Sequence, residues 1–198
     1  MIDVRKNNSK EWFEANRESY QRYLIEPFRR LVTDLGPHML AIDHMLDVTP
    51  SINKTISRIY RDTRFSPDKS LYRSTMWITF KRHRKEWTDS PGFFFEITPE
   101  SYRYGMGFYS ASNDSMNIFR QMIDENSDEF LDAISFYAGQ KDFVVEGEQY
   151  KRPLGKDKPA VIQEWYNRKN LYVVRNCSDL RRLFEKELIV EISTYPLK

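Results

Sequence analysis

The apolar pattern of this chain changes from helical to alternating period at Pro50, and that change constrains the fold more than any other feature. Before Pro50 the large apolar residues recur at helical spacing: Trp12, Phe13, Tyr20, Tyr23 and Leu24, then Phe28, Leu31, Val32 and Leu35. Asn8 followed three positions on by Glu11 has the pattern of a capping box, so a first helix is predicted to start there. Pro27 lacks an amide hydrogen and crowds the preceding turn, which ends or bends that helix. Gly36-Pro37 is expected to stop the second helix, with a short continuation from His38 to Leu46. After Pro50 the period is two. Residues 55–62, 74–81, 92–98 and 102–109 read as strands, the last two joined by the tight Pro99-Glu100-Ser101 connection.

Helical spacing returns at residues 114–124, with Met116, Phe119, Met122 and Ile123 on one side, and at 127–137. A strand at 143–146, a helix near 160–167, a strand at 171–175 and a closing helix from Ser178 complete the expected order. Helices, then strands, then helices predict an α+β fold, a mainly antiparallel sheet with helices packed on one face and at the ends. At 198 residues and 40% hydrophobic, the chain is expected to form a single domain. It comprises a helical part (8–47), a sheet core (54–110) and a mixed C-terminal part (113–198).

Several function classes are disfavoured by the same residues. No run approaches the roughly 18 apolar residues of a membrane span, and Met1 to Asn8 contains no apolar run like that of a signal peptide, so a cytoplasmic location is expected. The lone Cys177 excludes an internal disulfide and a cysteine-based metal cluster. Arg175 near it could lower the thiol pKa, but no partner histidine is suggested. His38, His44 and His83 lie at no ligand spacing, and neither a metal nor another cofactor is expected.

The net charge is only +2, but it is unevenly spread. Residues 54–85 hold ten Lys/Arg against two Asp/Glu, while residues 124–132 hold five acids and no base. Within the basic region, Arg58-Ile-Tyr-Arg-Asp-Thr-Arg-Phe-Ser-Pro-Asp-Lys69, continued by Tyr72 and Arg73, places five cations, two carboxylates and three aromatics in 16 residues. A turn-forming Ser66-Pro67-Asp68 sits in its middle.

This block, with Asn7-Asn8, Glu11-Trp12-Phe13 and Asn16-Arg17 before it, resembles the conserved hypothetical proteins of domain of unknown function 2461. Pro91-Gly92-Phe93-Phe94-Phe95, then Arg120 with Ile123 and Phe130, then Lys151-Arg152-Pro153 and Lys169 extend the resemblance from about Asn7 to Arg175. It implies no assigned activity. Leu71 stands where such proteins tend to have proline, the apolar lead-in before the paired asparagines is almost absent, and Tyr104-Gly105-Met106-Gly107 is poorer in glycine than their usual strand. The short lead-in implies a truncated N-terminus, and the missing glycines weigh against backbone contacts to a ligand there.

On an extended segment Arg58, Tyr60, Asp62 and Arg64 share one face, and Ile59, Arg61 and Thr63 the other. Guanidiniums flanking a carboxylate suit a phosphate- or carboxylate-bearing ligand, because the planar fork makes bidentate, charge-assisted bonds. The candidate ligand-binding residues are Arg58, Arg61, Asp62, Arg64, Lys69 and Tyr72. The alternative is a structural network in which Arg58, Asp62 and Arg64 pin the segment to a helix carboxylate such as Glu11 or Glu14. Asn16 and Arg17 either project toward the block or leave Arg17 in water. The leading expectation is a small anionic ligand with no reaction assigned, so whether the chain is an enzyme stays open. The rival readings are a nucleic-acid-associated module built on the basic segment 81–87, which ends in Trp87, and a structural or interaction protein with no small-molecule site.

Overall fold

The computed structural model describes residues 1–83 and 90–194. Among them, the helices are α1 (Ile2–Lys6), α2 (Lys10–Ala15), α3 (Arg17–Tyr20), α4 (Glu26–Ile42), α5 (Asn113–Glu125), α6 (Ser127–Ala133), α7 (Ala160–Tyr166) and α8 (Glu187–Thr194). The strands are β1 (Met76–Phe80), β2 (Gly92–Ile97), β3 (Tyr102–Phe108), β4 (Phe143–Glu146) and β5 (Leu171–Cys177). They form one open antiparallel sheet in the order β1-β2-β3-β5-β4, and the fold is α+β. The residues gather into two compact units whose division runs through β2 and β3. The first comprises Met1–Phe80, Phe94–Arg103 and the described residues from Cys177, up to 194, and the second the described part of Lys81–Phe93 with Tyr104–Asn176.

In the first unit, the cap of α2 is Ser9, whose hydroxyl accepts the Trp12 amide at 3.2 Å, and not Asn8. Asn8 is drawn off by its hydrogen bonds with the Tyr72 backbone. A π-helical turn, Gln21–Ile25, joins α3 to α4 with helical backbone on both sides, and Pro27, the second residue of α4, follows that turn without ending the helical run. Gly36-Pro37 does not stop α4, which continues to Ile42. Pro37 removes one helical bond, but Leu35, Gly36 and Met39 are buried, and their packing outweighs the local propensity. Ile25, Val32, Leu35, Ile56, Met76, Ile78 and Tyr102 form the fully buried centre of this unit.

Residues 55–62 are not a strand of the sheet: Thr55 ends a turn and Ile59 lies at a bend. They touch the following segment through isolated bridges, Ile56 to Ile78 and Tyr60 to Tyr72. Backbone bonds from Ser57 N to Trp77 O (2.9 Å) and Thr79 N to Thr55 O (2.8 Å) set one register. Arg61 N to Leu71 O (2.9 Å) and Arg73 N to Ile59 O (2.8 Å) set another, two residues displaced. Residues 74–76 therefore stand opposite Arg58 alone. This bulge breaks the ladder that alternation led us to expect.

In the second unit, Met116, Ile123, Phe130, Ile134, Val145, Ile162, Trp165 and Leu171 make one cluster. The helix expected over 127–137 divides into α6 and a single 3-10 turn, Ser135–Tyr137. Gly105 is required by β5 itself: a Cβ there would lie 2.9 Å from Val174 Cα and nearer still to the Val173 carbonyl oxygen. The close approach at Gly105 thus serves strand pairing. The outer edge of β4 is closed by side chains. Gln140 bonds both backbone groups of Phe143 (2.7 and 2.8 Å), the Tyr137 hydroxyl accepts from Val145 N (3.3 Å), and Arg168 donates to Val145 O (2.9 Å). An edge so occupied cannot recruit another strand.

Candidate anion-binding site

The site lies in the first unit, where α2, α3 and the π-turn meet the extended block. Phe13 is buried and stacks on Tyr72 with centroids 4.3 Å apart and planes at 23°. Tyr20 and Tyr60 flank Phe13 at 5.3 and 6.0 Å. Asn8 locks this arrangement: its amide donates to Tyr72 O at 2.9 Å and its carbonyl accepts from Tyr72 N at 3.0 Å. Between these elements is a cavity of about 140 Å3. Its walls are Phe13, Tyr20, Tyr60, Ile52 and Ile59, and its polar lining residues are Arg17, Gln21 and Arg58.

The structure separates the residues singled out from the sequence. Arg58 lines the cavity and has no carboxylate partner among the described residues. Arg61 turns to the Ser66-Pro67-Asp68 turn, pairing with Asp68 at 2.9 Å and donating to the Ser66 hydroxyl at 3.3 Å. Asp62 and Arg64 form a local bidentate pair, 2.9 and 2.7 Å, reinforced by the Arg64 backbone N–H. Lys69 donates to Thr63 O at 2.8 Å, closing the loop. Tyr72 is only 3% exposed, so it supports the cavity wall from behind, whereas Tyr60 is 46% exposed. Phe65 stands in solvent, with Arg64 5.8 Å from its ring centre.

The expected alternative, a brace from this block to Glu11 or Glu14, does not form through Glu14, which is held by Arg17 at 2.6 and 2.9 Å. Arg17 meets both expectations at once, since it lines the cavity and is also largely exposed. Asn16 is used locally, donating to Trp12 O at 2.8 Å.

The electrostatics follow from these partners. Bonds from the Arg64 side chain, then from its backbone N–H, hold the Asp62 carboxyl down at about 2, with the charges of Arg64 and Arg58 adding to them. Asp68 is lowered first by the Ser70 N–H and then by the Ser70 hydroxyl and Arg61. Both carboxylates are fixed as anions and suit orientation of cations, not proton donation. Arg73, which is not among the candidates drawn from the sequence, has its pKa lowered by burial and then by repulsion from Arg58 and Arg61. It lies 4.7 Å over the Trp77 ring and also lacks a carboxylate partner among the described residues. Burial pushes Tyr20 up to about 12, so its phenol remains a hydrogen-bond donor at neutral pH.

Arg73 was legible as one more cation in the block. The sequence marks Tyr20 only as an apolar helix position and gives Gln21 no signal, because their place at the cavity goes with the π-turn, a device that often accompanies functional sites. Among the described residues, no group of three or more His, Cys, Asp or Glu side chains could hold a metal ion. No helix among them is long and apolar enough to cross a membrane. Of the basic segment 81–87, residues 84–87 lie outside the described residues.

The family landmarks of the second unit have structural work. Arg120 is buried and donates to the carbonyls of Tyr166 (3.0 Å) and Arg168 (2.6 Å) and to Asn117 Oδ1 (2.9 Å). Arg168, also buried, donates to the carbonyls of Glu164, Gly147 and Val145 at 2.9–3.0 Å. Lys169 pairs with Glu148 at 3.2 Å. Asp124, from the acidic block, pairs with Lys158 and accepts from the Tyr166 hydroxyl at 2.8 Å.

Comparison with known proteins agrees with the resemblance drawn from the motifs. The family model described as "Conserved hypothetical protein (DUF2461)" matches residues 1–195, and the chain belongs to this family. No curated protein and no solved structure matches the chain.

Proposed function

We propose that this member of the DUF2461 family binds a small anionic ligand, bearing a phosphate or carboxylate, at the cavity between α2, α3 and the Arg58–Arg73 block. The observation that carries the reading is Arg58, a guanidinium on a small cavity whose neighbouring carboxylates are all engaged elsewhere: Asp62 by Arg64, Asp68 by Arg61, and Glu14 by Arg17. A guanidinium that makes no ion pair among the described residues, with Asp62 acting on it only through its charge and two other guanidiniums nearby, favours an anion from solution. In this reading Arg58 is the direct contact and Arg73 and Arg61 supply the surrounding positive field. Asp62, Arg64, Lys69 and Tyr72 shape and support the loop. No reaction is assigned, and the cytoplasm is the proposed setting.

Thermal melts in increasing inorganic phosphate test the proposal. A ligand that binds only the folded chain raises the melting temperature with its concentration. The wild type is expected to show this rise, and Arg58→Gln is expected to lose it while melting at the wild-type temperature in plain buffer. Absence of any rise with phosphate, citrate or acetate, or its full retention in Arg58→Gln, would remove the basis for the reading.

A further inference from the structure

We propose that the ligand carries a single aromatic ring, which fills the cavity while its anionic group pairs with Arg58; this rests on the anion-binding reading above. The volume, about 140 Å3, decides the size. An apolar protein cavity of about 150 Å3 takes up one benzene molecule, so this space matches one six-membered ring. The lining decides the chemistry. Phe13, Tyr20 and Tyr60 line the space, and Ile52 and Ile59 complete an apolar wall. Aromatic partners favour offset or edge contacts of the kind Phe13 already makes with Tyr20 at 5.3 Å and 60°.

The polar groups are placed for one anionic substituent. Arg17 is neutralised by its two bonds to Glu14, which leaves Arg58 as the cation for the ligand. Gln21 has no side-chain hydrogen bond among the described residues and sits at the start of the π-turn, beside Tyr20. A helix winds into a π-turn at a cost to its regular bonding, and here the turn brings two consecutive residues, Tyr20 and Gln21, to the same cavity. One unpaired cation and one neutral amide beside an apolar, ring-sized space describe a benzoate-like or phenyl phosphate-like molecule better than a free inorganic ion.

Titration calorimetry on the full chain with matched probes tests this. Phenyl phosphate and benzoate are expected to bind about 10–100-fold more tightly than inorganic phosphate and acetate, the gain that burying one ring brings. The two-ring 2-naphthoate is expected to fall back toward acetate. Ile52→Phe, which fills the space, should bring phenyl phosphate down to the level of inorganic phosphate, and Arg58→Gln should remove binding of every probe. Equal affinities for phosphate and phenyl phosphate, or tighter binding of 2-naphthoate than of benzoate, would overturn the ring while leaving the anion site standing. No binding of any probe, or binding indifferent to Arg58→Gln, would overturn both.

Discussion

Asn8 and Tyr72, 64 positions apart, exchange two hydrogen bonds as a backbone pair would: the Asn8 amide donates to the Tyr72 carbonyl, and the Tyr72 amide donates to Asn8 Oδ1. A primary amide is the one kind of side chain that can offer a donor and an acceptor side by side in this geometry. The same Nδ2 also reaches Val4 O at 3.2 Å, so one residue ties the end of α1, the start of α2 and the Arg-rich block together. The stacking of Tyr72 on Phe13, and hence the back wall of the cavity, depends on this tie.

Asn8→Ala should therefore lower stability by about 1–3 kcal/mol, since both Tyr72 backbone groups lose their partner. Asn8→Asp should not rescue it, because a carboxylate keeps the acceptor but faces the Tyr72 carbonyl with a second acceptor. Urea denaturation at neutral pH would measure both variants.

Two arginines should behave oppositely when removed. Arg168→Ala leaves three carbonyls without a donor in a buried setting and should cost roughly 2–5 kcal/mol. Arg168→Lys should recover only part of this, because an ammonium cannot reproduce the planar fork. Arg58→Gln removes an exposed cation that holds no acid and should change stability by less than about 0.5 kcal/mol. Equilibrium denaturation of the three variants distinguishes a fold-maintaining arginine from a ligand-facing one.

The Asp62–Arg64 pair gives a pH signature. Asp62 titrates at about 2 in the folded chain, below the ordinary 3.8. A depressed carboxyl contributes its full stabilisation above the unfolded value and loses it as pH falls toward the folded one. Asp62 should add no pH dependence to stability between pH 5 and 8, and its contribution should fade only below pH 4. Carbon-detected NMR titration should place the Asp62 midpoint near 2, rising toward the ordinary value in Arg64→Ala.

Glycine substitutions should separate close approach from backbone conformation. Gly105→Ala sets a methyl group against the backbone of Val173 and Val174, which cannot move without breaking the β3–β5 pairing, and should cost more than about 3 kcal/mol. Gly139, at φ +86°, has nothing within 4 Å of the place a methyl group would take, so Gly139→Ala should cost only the left-handed backbone penalty of about 1–2 kcal/mol. Thermal unfolding of the two variants would show the difference.

Periodicity alone determined the element types over most of this chain, because burial repeats every 3.6 residues in a helix and every two in a strand whatever the partner. β4 and α5 fall within a residue or two of where their patterns place them. The charge and aromatic content of the Arg58–Arg73 block likewise marked where to look for a site. The sequence could not say which guanidinium keeps its charge for a ligand, since that depends on which carboxylate reaches which arginine in space. Arg61 and Arg64 look equivalent to Arg58 in the motif, yet Asp68 and Asp62 engage them and leave Arg58 without an acid. Tertiary packing also carried α4 through Gly36-Pro37, moved the cap from Asn8 to Ser9, and turned an expected strand into a bulged ribbon opposite Arg58. Each of these was decided by contacts between residues far apart in the chain, whose energies exceed the local preferences that a sequence pattern records.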